Sequence, residues 1–259
     1  MTAVSTVLGH ADDPKVNDRQ DPFVGPAFRS GEKFAQLGEQ FDSNGVTLMA
    51  WLPIAEFGAH SSANDCWGYV SPSGREYAII GLSNGTGFVE ITNPASPVIV
   101  AAADPLNSLW RDVKTYGDYA YAVSEGGGGI QIFDLSDIDN GNVASLGSMT
   151  DAFGTTSTHN IVIDTVSGWL YRAGGTNEGL RMYTLSNPAN PVYVASWPDR
   201  YVHDAQVVTM NTTEHGVPQP RQIAFCASGF NGGFVETGID ILDVTDKSNI
   251  ELLARYQYP

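Results

Sequence analysis

Phe88-Val-Glu-Ile-Thr-Asn-Pro-Ala-Ser-Pro-Val-Ile-Val100 returns further along the chain as Leu180-Arg-Met-Tyr-Thr-Leu-Ser-Asn-Pro-Ala-Asn-Pro-Val-Tyr-Val194. An alternating strand, an Asn-Pro turn and a second strand recur in the same order. Two weaker copies, Ile130-Gln-Ile-Phe-Asp-Leu-Ser-Asp137 and Ile239-Asp-Ile-Leu-Asp-Val-Thr-Asp-Lys-Ser-Asn-Ile250, complete a series of four. A fixed period of roughly 45 residues is the mark of a repeat architecture.

Working outward, each copy reads as four short strands, A to D, bounded by Gly, Asn, Asp, Ser and Pro clusters that set turns. Strand A opens near Asn64, Trp110, His159 and His203. Strand B covers Tyr77–Leu82, Tyr119–Ser124, Trp169–Ala173 and Gln222–Ala227, and glycine-rich turns follow at Ser83–Gly87, Glu125–Gly129, Gly174–Gly179 and Gly229–Gly238. Four-stranded antiparallel units without helical periodicity predict an all-β chain, a β-propeller of repeated blades. The predicted blades are 62–104, 108–149, 157–199 and 201–258, within a repeat region of 41–259. Residues 1–40, rich in polar residues, Asp, Pro and Gly, are expected to be a leader or flexible arm. Val46-Thr-Leu-Met-Ala-Trp-Leu-Pro53 matches strand D (compare Val192–Pro198) and predicts a lone outer strand. A lone D strand calls for A, B and C strands that the sequence does not supply, so the expected propeller is incomplete in this chain.

The 13 basic and 29 acidic residues give a formal charge of −16, which repels a phosphate backbone and excludes nucleic acid as a partner. Cys66 and Cys226 are too few and too far apart for a disulfide framework and are expected to be buried small apolar residues. No transmembrane segment is present. The first 25 residues lack a basic start and apolar middle, leaving either a cytosolic location or an export signal already removed.

Ser62-Ala-Asn-Asp-Cys-Trp-Gly68, Leu109-Trp-Arg-Asp-Val113, Thr158-His-Asn-Ile-Val162 and Val202-His-Asp-Ala-Gln206 resemble the strand-A openings of choice-of-anchor B proteins, which carry LVIVD repeats. Gly74–Gly81 and Asp243–Asn249 look like the same family, and the resemblance runs from about Val46 to the C-terminus. It implies an exported, extracellular or cell-surface propeller. The family usually adds a unit opening on Thr-His-Gln-Gly and a variable C-terminal anchor, neither of which is in this sequence. The resemblance carries no secured activity.

Aligning the openings puts Asn64, Trp110, His159 and His203 at one position and Asp65, Arg111, Asn160 and Asp204 at the next. In a propeller, strand A lines the central channel, and the second row is expected to face it as a polar ring with Arg111 neutralising Asp65 or Asp204, since buried charges require pairing. Asp65, Asn160 and Asp204 are also a candidate oxygen shell for calcium, the cofactor then expected; His159 and His203 with Asp204 are a weaker transition-metal set. Ser62, Ser157 or Cys66 beside His60, His159 and His203 can be drawn as triads, but no nucleophile elbow surrounds them. The glycine-rich turns lack the lysine and helix of a phosphate loop. Trp67, Trp110, Trp169 and Trp197 are expected to pack blades, and Asn84 and Asn211 fit the glycosylation sequon.

Two functions follow from different classes. One is a non-catalytic scaffold binding a protein or carbohydrate at the cell surface. The other is a calcium- or zinc-dependent hydrolase such as a lactonase, using the axial row with His159 or His203 as base.

Overall fold

The computed structural model describes residues 25–31, 44–103, 108, 110–150, 157–175, 179–211, 219–229 and 237–258. After a short pair, β1 (Phe28–Arg29) and β2 (Ala50–Trp51), the chain builds four antiparallel sheets of four strands. Blade 1 is β3 (Ala63–Val70), β4 (Glu76–Leu82), β5 (Gly85–Glu90) and β6 (Val98–Ala103). Blade 2 is β7 (Arg111–Tyr116), β8 (Tyr119–Ser124), β9 (Ile130–Asp134) and β10 (Ala144–Met149). Blade 3 is β11 (Asn160–Asp164), β12 (Trp169–Ala173), β13 (Leu180–Thr184) and β14 (Val192–Trp197). Blade 4 is β15 (Val202–Met210), β16 (Arg221–Ser228), β17 (Thr237–Asp243) and β18 (Glu251–Tyr258). Within each blade every strand pairs with the next in sequence.

The repeated turn has a local cause. Asn93, Asn187 and Asp246 each accept a hydrogen bond through Oδ1 from the backbone N–H two residues on, Ala95, Ala189 and Ser248. Each closes an Asx turn that reverses the chain between strands C and D. The same residue types at the same offset give the same turn in blades 1, 3 and 4.

Strands with apolar residues on both faces can be buried only between two neighbours. Ile79 and Phe88 of blade 1 pack on Val113, Ala120 and Phe133 of blade 2. Tyr121, Ile130 and Ile132 of blade 2 pack on Ile161, Leu170 and Tyr183 of blade 3. Tyr171, Leu180, Met182 and Trp197 of blade 3 pack on Val207, Ala224 and Leu242 of blade 4. Tyrosines stitch the same seams: Tyr77 Oη donates to Asp139 Oδ1 at 2.6 Å, and Tyr121 Oη to the Pro188 carbonyl at 2.8 Å. The blades form an arc that does not close into a ring.

The segment before blade 1 runs across that blade's back face. β2 lies within the span read as a lone outer strand, but its partner is β1, inside the span read as an arm. Phe28 is buried, and Gly31 N–H donates to the Ala95 carbonyl of blade 1 at 2.9 Å. Cys226 is buried as expected, whereas Cys66 is exposed: it lies on the back face of blade 1, where no blade precedes it. Trp197 is a packing residue, but Trp67 is 43% exposed.

Candidate functional site

The inner strands converge on a cavity of about 320 Å³ whose walls include Asp65, Trp67, Asp112, Lys114, Asn160, Asp204 and Gln206. Three of the four residues predicted for the axial row are there, and Arg111 is not. Its place is taken by Asp112, because register across strand B sets Asp112 opposite Val123, Asn160 opposite Ala173 and Asp204 opposite Ala227. The predicted alignment was therefore one residue out in blade 2. Bulges at Asp65 in β3 and His203 in β15 shift the ladder, and Asp65 takes a positive φ of 60°, a conformation in which Asp is among the more tolerated side chains. Such irregularities leave no mark on hydrophobic alternation.

Three members of the row reach toward the following blade. Asp65 Oδ2 accepts from Val113 N–H at 2.9 Å, and Asp112 Oδ2 from Ile161 N–H at 2.8 Å. Asn160 Nδ2 donates to the His203 carbonyl at 3.3 Å. Asp204 Oδ1 accepts from its own chain, at Ala205 N–H. Asp112 is 4% exposed, and burial pushes its carboxyl up to about 7 against the opposing pull of Lys114, with the hydrogen-bonded Asp65 pushing the same way as burial. The Lys114 ammonium pairs with Asp112, lies 4.0 Å from Asp65, and sits 4.4 Å from the centre of the Trp67 ring. The internal cation of the axial row is therefore Lys114, not Arg111. Arg111 lies one residue out, 2% exposed, where Gly81 admits it: a Cβ on Gly81 would stand 2.9 Å from Arg111 Cβ.

The other row behaves differently. His159 and His203 meet at a tilt of 53° with ring centroids 4.2 Å apart, Trp110 lies 6.2 Å from His159, and Tyr201 6.5 Å from His203. Glu125 Oε1 holds His159 Nδ1 at 2.6 Å, which orients the ring and fixes its tautomer. Gly174, at φ +64°, allows the approach, since a Cβ there would lie 2.8 Å from both His159 Cβ and Tyr201 Oη. Carboxylate, two imidazoles and two further aromatic rings meet at the end of the channel that carries the B-to-C turns. Among the described residues, no group of three or more His, Cys, Asp or Glu side chains could hold a metal ion.

Sequence reasoning missed three participants. Asp112 was legible in Arg-Asp-Val113, had the Asp residues been aligned with one another. Lys114 is one of only 13 basic residues, and a lone Lys in a strand lining a channel was the available signal. Glu125 hid in a turn read as glycine-rich.

A family model described as LVIVD repeat matches residues 110–140, from the foot of β7 through β9. Comparison with curated proteins gives no match. Among solved structures, a protein from Lactobacillus plantarum is 12% identical, with 74% of this chain and 55% of that one covered and a TM-score of 0.52. A putative 6-phosphogluconolactonase from Bacteroides uniformis is 14% identical, with 72% and 52% covered and a TM-score of 0.50. The chain thus spans about half the length of these structures. At such identities the likeness carries the fold alone, that of a β-propeller, in which residues 110–140 match the LVIVD repeat.

Proposed function

We propose that this chain is an exported or cell-surface propeller of the choice-of-anchor B kind, a non-catalytic scaffold that binds a protein or a carbohydrate on its loop-bearing face. The observation that carries the reading is the internal pairing of the axial row. Asp65 and Asp112 are committed to the backbone of the next blade and to Lys114, so the groups best suited to a metal have structural work already. An active metal needs an open coordination position, and a calcium or zinc ion held by Asp65, Asn160 and Asp204 would compete with Lys114 for Asp65. The channel end instead offers Trp110 and His203, partly exposed and backed by the buried His159 and Tyr201, flat amphipathic rings of the type that stack on sugars or anchor a protein partner.

A second reading, a hydrolase, draws support from one geometric fact: Glu125 orients His159 as a carboxylate orients a general base. Glycan-array binding and a lactone and ester hydrolysis screen, run on the protein and on Trp110→Ala and His159→Asn, separate the two. Glycan binding lost in Trp110→Ala, without turnover, supports the scaffold. Turnover abolished by His159→Asn replaces it with the hydrolase.

A further inference from the structure

Trp67 is set where joining blades does not use it. Its register partner is Ile79, which is buried in the core between blades 1 and 2, and cross-strand partners share a face. The indole therefore hangs from the side of β3 turned toward blade 2 and the channel, away from the back of blade 1. Yet Trp67 belongs to none of the three cores and is 43% exposed. An indole held open at the wall of a cavity, among a few polar groups, is the composition of a small-molecule site.

The axial cavity of about 320 Å³ that Trp67 lines is at the small end of the about 300–1,000 Å³ that ligand pockets span. It has room for one ring-sized molecule, not for a chain. Its walls select the chemistry. The Lys114 ammonium already takes the place suited to a cation, paired with Asp112, 4.0 Å from Asp65 and 4.4 Å from the centre of the Trp67 ring. A second ammonium is repelled by Lys114, and an anion by the three carboxylates of Asp65, Asp112 and Asp204. A neutral ligand remains. It has to meet donors and acceptors together, because the wall also carries the hydroxyls of Thr115 and Thr165 and the amides of Asn160 and Gln206. Asn160 gives its Nδ2 to the His203 carbonyl and Gln206 its Nε2 to the Val207 carbonyl, which leaves two amide oxygens as acceptors. A hydroxyl donates and accepts through one atom, and a sugar ring carries hydroxyls around an edge whose C–H face covers an indole.

We propose that the axial cavity binds a single neutral sugar ring, stacked on Trp67 and hydrogen-bonded by Asn160, Gln206 and Thr165. The site is distinct from the rings at the channel end and does not depend on what those rings bind. It discriminates by charge. A uronic acid or a sugar phosphate brings a negative group into a cavity whose carboxylates outnumber its one ammonium, and that group finds its only counter-ion, Lys114, already paired.

Saturation-transfer NMR titration of the full chain at pH 8 with D-glucose, D-galactose and D-mannose, and with the uronate of each, tests the proposal. At least one of the three hexoses should bind, and its uronate at least about tenfold more weakly. Trp67→Ala should weaken the hexose at least about tenfold, as loss of a stacking ring implies, and Trp67→Phe, which keeps a ring, should recover part of the loss. Thr165→Val, on blade 3, should weaken it about threefold or more by removing one hydrogen bond. Thermal melts identify a variant that fails to fold, and if Trp67→Ala is one, Thr165→Val carries the test. No binding by any of the three hexoses overturns the proposal, as does a uronate that binds as well as its hexose. Hexose binding unmoved by both Trp67→Ala and Thr165→Val also overturns it, and leaves the reading of the channel end standing.

Discussion

Two polar rows cross the same inner strands one residue apart, and they have opposite fates. Asp65, Asp112 and Asn160 spend their side chains on the following blade, with Lys114 set among the carboxylates. His159 and His203 instead turn toward each other and toward Glu125, Trp110 and Tyr201 at the channel end. The first row is committed where blades meet, and its one buried member, Asp112, must be paired or cost stability. The second lies at the level of the turns and packs ring against ring, with His159 and Tyr201 buried and Trp110 and His203 partly exposed. Position along a strand, by a single residue, separates side chains that bond the next blade's backbone from side chains that build a cluster of rings.

That contrast can be broken by removing the most deeply paired member. Asp112→Ala strands the Lys114 ammonium and the Ile161 N–H, and at pH 8 it should lower unfolding stability by about 3–5 kcal/mol, read from urea denaturation; a loss below about 1 kcal/mol would make the row ornamental. Asp65→Ala removes a half-exposed partner of Val113 N–H and Lys114 and should cost about 1–3 kcal/mol.

The pH dependence of stability sharpens the same point. Burial raises Asp112 to about 7, so the folded state holds this proton more tightly than the unfolded chain, whose Asp titrates near about 4. The stability this group contributes is therefore full below pH about 4 and is lost as pH rises through about 7. Asp112→Asn, which keeps an acceptor for Ile161 N–H, should flatten the profile across that window; an unchanged slope would assign it to another group. Asp204→Ala is the smallest perturbation. Its carboxylate is exposed and bonds only the adjacent N–H among the described contacts, so thermal melts should shift by less than about 0.5 kcal/mol in stability.

The repeat made most of the fold legible. Asn93, Asn187 and Asp246 announce the C-to-D turn through their own chemistry, and alternation at Ile130–Phe133 or Leu180–Tyr183 needs no tertiary information to be recognised. The axial row was legible as a class and misplaced in detail. A bulge at Asp65 adds a residue without disturbing the apolar pattern, so the sequence pattern points to Arg111 where the sheet selects Asp112. Lys114 and Glu125 were invisible for a related reason: their roles are set by contacts across blades, and sequence periodicity reports only which face of a strand is covered. Cys66 shows the converse, a residue whose pattern says interior on a blade with no neighbour behind it.

Calorimetric titration of calcium and of zinc into metal-free protein, repeated on Asp65→Ala, tests most directly whether the axial row is structural cement. The account predicts no binding heat from either metal, with Asp65→Ala only less stable. Tight binding of either ion that disappears in Asp65→Ala would contradict it and make the axial cavity a metal site.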